Sequence, residues 1–200
     1  MRRKSSWKKS LFEKAYYESF KYIHESRNFI YLSIGLFFGA SIISFLFPVP
    51  QSVLEQINEF IRKLLEETRG MGQTDLIKFI FLNNIQSSFF GMLFGAFLGI
   101  FPALILLVNG YLLGFVSSII IKEEGILVLW RLFPHGIFEL PAVFISTGLG
   151  LKFGTFIIQK NKSDSFKKYL WNSIRAFLLI VVPLLIIAAI IEGTLIAYSG

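Results

Sequence analysis

Cysteine is absent from the 200 residues, so no disulfide, thiolate metal centre or cysteine nucleophile can form, and the redox compartment leaves no trace. Charge is scarce as well. Only 16% of residues are Asp, Glu, Lys or Arg, against about a quarter in ordinary soluble domains. There are 2 histidines and 6 prolines. No HExxH helix, no GxSxG elbow and no pair of aspartates within an apolar run occurs, which leaves zinc peptidase, serine hydrolase and intramembrane aspartyl protease chemistry without their side chains. The sequence is therefore expected to be no enzyme, with no catalytic residues, no metal and no cofactor. No short apolar core with a small-residue cleavage site follows the basic start, so no cleaved signal peptide is expected.

Apolar residues fill the space that charge leaves. Hydrophobic residues make up 54%, with 23 phenylalanines. No charge occurs from Phe29 to Phe47, and none from Phe79 to Ile121. A membrane-crossing helix needs about 20 apolar residues to traverse a hydrocarbon core of about 30 Å. The fold class is accordingly all-α, a polytopic transmembrane bundle of about five spans, at 28–47, 76–100, 104–121, 134–158 and 175–198. Residues 28–200 form one transmembrane domain. The "FPA" at Phe101 to Ala103 reads as a tight turn or a kink between the second and third spans, and "QKNKSDSFKK" as a polar loop before the fifth. The apolar run Ile126 to Ile158 is too long for one span, and Pro134 with Gly136 offers a place to break it, with a short interfacial or re-entrant piece ahead of Pro134.

Two further segments are amphipathic. In residues 1–27, Leu11, Phe12, Ala15, Tyr16, Phe20 and Ile23 recur at helical spacing beside a basic face, which suits a helix lying on the membrane or one packed on the protein's own loops. Between the first two spans, 52–68 carries Val53, Ile57, Phe60, Ile61 and Leu64 on one stripe, with Ser52 and Glu55 spaced as a capping box. The net charge of +7 has no nucleic-acid recognition motif beside it, so no nucleic-acid partner is expected. It reads instead as orientation: Lys and Arg are concentrated before the first span and in the segment from Gln159 to Arg175. With five spans the positive-inside rule puts both segments on the cytoplasmic side of a cell membrane, with the C-terminus outside.

Glycines recur every four residues at Gly35 and Gly39, at Gly91, Gly95 and Gly99, at Gly110 and Gly114, and at Gly150 and Gly154. In lipid, such faces let helix backbones approach closely. Most are expected to pack within the chain and one to make a homodimer. The lipid bilayer is the other expected partner, and protein partners are not specified.

Polar side chains inside the spans are few: Asn83, Asn84, Gln86, Asn109, His135, Glu139 and Glu192. His135 and Glu139 lie four apart on one helical face. Pro141 removes the bond that the Ile137 carbonyl would accept. These residues fit a structural hydrogen-bond cluster, a proton-linked or substrate site, or a metal site of His135, Glu139 and Glu192. A channel or transporter lined by them competes with a scaffold that offers its amphipathic helices to partners.

"PHGIFELPA" at Pro134 to Ala142 and "GLGLKFG" at Gly148 to Gly154 resemble the signature of the stage II sporulation protein M family. So do "NGYLLG", "FLNNIQSSFFGMLFGAFLGI" and "AAIIEG". The resemblance implies a bundle of about five transmembrane helices with no established catalytic activity. In endospore-forming bacteria it implies a role in engulfment, anchoring two peptidoglycan-degrading partners; in relatives outside spore formers, archaea included, the role is unassigned.

Overall fold

Helix α1 (Leu11–Glu25) starts at a reciprocal cap: Ser10 Oγ accepts from the Glu13 amide at 3.2 Å and the Ser10 amide donates to Glu13 Oε2 at 3.0 Å. The computed structural model describes residues 10–47, 50–125 and 133–199. The expected re-entrant piece ahead of Pro134 lies mostly outside them. Ser26 alone separates α1 from α2 (Arg27–Leu46). Helix α3 (Gln51–Thr68) carries the second amphipathic stripe. Its cap is Pro50 without a side-chain bond, so Ser52 falls inside the helix and the expected capping box does not form there. Gly70, at φ +78, ends this segment.

Helix α4 (Gln73–Leu93) tightens into a 3₁₀ turn at Phe94–Ala96. The chain then reverses at Leu98 and Gly99, both with positive φ (58° and 73°), and α5 (Ile100–Glu124) begins. The expected turn at Phe101 to Ala103 is thus displaced towards the N-terminus. Pro102 stands in the first turn of α5, where the helix needs no N–H from it. Helix α6 (Phe133–Gly154) has Pro134 in its first turn and runs uninterrupted through Gly136 and Pro141. Neither residue breaks it: Gly136 keeps its amide, and at Pro141 the helix continues with one backbone bond missing.

A 3₁₀ stretch (Thr155–Ile158) leads to α7 (Lys162–Ala176), which continues through a wide π turn (Phe177–Val181) into α8 (Val182–Ser199). Here the sequence reading needs correction: most of the expected polar loop is helical, and the last span is the apolar end of a longer helix. The π turn sits just before Pro183, which leaves the Leu179 carbonyl without its usual donor, a common setting for such widening.

No strand occurs among the described residues. Five segments are long and apolar enough to cross a membrane: Arg27–Leu46, Gln73–Ala96, Ile100–Lys122, Gly136–Ile158 and Lys162–Tyr198. Helix α6 is the hub, packed on α2, α4 and α8, while α2 pairs with α5 and α1 lies on α7. One core joins Tyr22, Met92, Ala142, Leu149, Ala176, Phe177, Val181 and Leu185; another joins Phe37, Leu106 and Phe144.

Glycine sets these distances. A side chain on Gly110 would strike the Phe37 carbonyl, and one on Gly114 the Ser41 carbonyl, a matched step of four that makes α2 and α5 a parallel pair in backbone contact. Gly95 and Gly154 interlock with Gly150 and Gly99 in the same manner, which makes α4 and α6 parallel. Gly91 faces the tip of Ile105. Gly148 against Ile30 and Gly193 against Ile77 serve the same purpose without a four-residue repeat to announce them. Gly35 and Gly39 meet nothing within 4 Å among the described residues.

Candidate functional site: a carboxylate pair and a lysine clamp

Glu139 stands on the second turn of α6 and Glu192 near the end of α8, two helices in direct contact. The carboxylates are electrostatic neighbours and neither is exposed. Glu192 Oε2 is buried without a hydrogen-bond partner among the described residues. Two buried carboxylates sharing a site cannot both stay ionised cheaply, so the pair is chemically suited to sharing a proton or receiving a cation.

The rest of the polar set is dispersed. His135 lies in the first turn of α6, but its side chain is outside the described ones. Asn109, exposed on α5, donates to the Ile105 carbonyl at 2.8 Å and lines a groove of about 550 Å³ with Val53, Ile57 and Phe60 of α3. Asn83 and Gln86 are exposed on α4, and Asn84 is partly buried. Among the described residues none of these amides is bonded to either carboxylate, and no three His, Asp or Glu side chains converge as a metal set. Of this set, among the described residues, Glu139 and Glu192 are the pair within electrostatic reach of each other.

A second constellation went unread in the sequence. Lys152, buried in α6, donates to Ser26 Oγ at 3.0 Å and places its ammonium 4.1 Å from the ring centre of Tyr22 and 5.7 Å from that of Tyr169. Tyr22 and Ser173 share a hydrogen bond at 3.4 Å. Burial pushes the Tyr22 phenol up to about 12, against the opposing pull of Ser173, so it stays a neutral ring over which a cation can sit. Glu18 of α1 pairs with Arg175 of α7. These contacts hold α1 against α6 and α7. The signal was one lysine, the sole Lys or Arg of a glycine-rich apolar helix.

Fold and site together define a polytopic helical membrane protein whose spans meet through glycine. The chain belongs to the stage II sporulation protein M family, whose sequence profile matches residues 29–195. An uncharacterized protein of Methanocaldococcus jannaschii is 31% identical over 104 residues, covering 49% of this chain and 47% of that relative, so the match spans about half the relative's length. No solved structure matches.

Proposed function

We propose that this protein is a membrane scaffold that self-associates and holds partner proteins at the cell membrane, with its N-terminus in the cytoplasm. The observation that carries this reading is the way α1 docks. It turns Ser19, Tyr22 and Ser26 into the protein, all buried, and leaves Leu11, Phe12 and Phe20 exposed, at 89%, 64% and 57%. A helix that only needed a place to pack would bury its phenylalanines; this one keeps them for something else. The partner-anchoring role implied by the family resemblance fits that surface. A photo-crosslinking residue at Phe20 is expected to capture a protein, and Phe12→Asp with Leu11→Asp to abolish the adduct without lowering the melting temperature. Adducts with lipid alone would reduce α1 to a membrane anchor and sink the scaffold.

The carboxylate pair favours one other reading, a proton-linked channel or transporter. On that reading Glu139→Gln abolishes flux in liposomes while the bundle still folds. Unchanged flux, or a loss explained by unfolding, removes it.

A further inference from the structure

The geometry points to the face of α4 that carries Asn83, Gln86 and Ser87 as the surface on which a second copy of this chain docks, by amide-to-amide hydrogen bonds within the membrane. This inference rests on the self-association proposed above and names its place.

The three residues are exposed, and Gln86 and Ser87 stand three and four residues after Asn83, which puts them on one stripe with it. Gln86 and Ser87 stand eight and nine residues beyond Lys78, the last charge before the uncharged run that starts at Phe79, about 12–14 Å along the helix at 1.5 Å per residue, and Asn83 lies about 8 Å along it. In a hydrocarbon core about 30 Å thick, Gln86 and Ser87 are near mid-depth and Asn83 is nearer one edge. Asn109 shows how an isolated amide copes, by bonding its own helix backbone. No such bond is made by Asn83 or Gln86 among the described residues, so their donors and acceptors face outward. A polar group left unpaired in hydrocarbon is costly and must find company.

An amide is both donor and acceptor, so it complements itself. Copies inserted in the same direction carry Asn83 at the same depth, and a two-fold axis along the membrane normal brings like to like. Phe90 and Phe94 extend the stripe with stacked rings, centroids 5.5 Å apart, which supply packing beside the hydrogen bonds. The open glycines of α2 are the rival surface. A glycine facing lipid loses nothing by staying unpaired, whereas an amide does, and that difference assigns the interface to α4.

The cysteine-free sequence makes the test direct. Ser87→Cys and Gly35→Cys variants of the full chain are reconstituted in liposomes at low protein density and oxidised. The Ser87→Cys chain is expected to run as a disulfide-linked dimer and the Gly35→Cys chain as a monomer. Adding Asn83→Leu and Gln86→Leu to Ser87→Cys should cut the dimer yield about fivefold, the scale of an interhelical polar pair in lipid, with an unchanged melting temperature. Undiminished crosslinking in that triple variant overturns the role of the amides. Dimers through Gly35→Cys alone overturn this face and leave self-association standing. Monomers at both positions overturn both, and the amides then belong to a different protein or to water.

Discussion

Gly110→Leu abolishes the native pairing of α2 with α5. The first added carbon would meet the Phe37 main chain, carbonyl and Cα together, rather than the tip of a side chain that can swing aside. Overpacking against a movable neighbour costs about 1–3 kcal/mol, and a backbone obstacle costs more because the whole helix must retreat. In hydrocarbon the retreat also forfeits the close dispersion contacts that hold such pairs, and no hydrophobic drive replaces them. At about 2–4 °C per kcal/mol for a chain of this length, the melting temperature in detergent should fall by about 10 °C or more. Gly95→Leu should match it, since its obstacle is the Gly150 main chain. Gly91→Ala should cost far less, because the nearest atom is the flexible Cδ1 of Ile105 at 2.9 Å. Gly35→Leu, with nothing within 4 Å, should be silent. A flat series across these four positions would mean that the helices do not meet where the glycines place them.

The same glycines show what could be read ahead of the structure. A repeat of four marks one side of a helix, so the stripes on α4, α5 and α6 were visible as candidate surfaces. Nothing in the repeat says which stripe is covered, and Gly35 and Gly39 look no different from Gly110 and Gly114 in a sequence. Gly148 and Gly193 have no repeat and could not be found that way. Hydropathy located the spans but misread their ends, because charge was taken as loop. Residues 162–175 are polar, yet they are helical, since α1 and α6 give their buried side something to pack on. Proline misled in the opposite direction. Its rule drew the second turn to Pro102, whereas the chain reverses at Leu98 and Gly99, and a proline in a first helical turn is simply tolerated. For the polar site, the sequence supplied the right residue types and the wrong company. Glu139 and Glu192 are electrostatic neighbours, while the amides grouped with them bond to neither, because a one-dimensional list of polar positions carries no direction.

Lys152→Glu is the second substitution expected to be severe, and its sign follows from the surroundings rather than from lost contacts alone. The ammonium lies over the Tyr22 ring, whose face is electronegative, and Glu25 is within electrostatic reach. A carboxylate there faces repulsion from both, only partly offset by the weaker pull of Lys168, and as a buried charge without an ion-pair partner costs about 3–5 kcal/mol. Relief comes most easily by releasing α1, which is held otherwise by the Glu18–Arg175 pair and the Tyr22–Ser173 bond. In trypsin digests of detergent-solubilised protein, cleavage at Lys14 and Lys21 should therefore appear well before the bundle itself is cut. Lys152→Met is the informative companion. It keeps the stem that packs against the ring and removes both the charge and the cost of burying it, so it should be nearly neutral, as apolar replacements of buried ions often are. If α1 stays protected in Lys152→Glu, the clamp contributes little and the ion pair with Arg175 holds the helix. If Lys152→Met alone frees α1, the attraction between the ammonium and the ring outweighs its desolvation, and α1 docks on the bundle through that one cation.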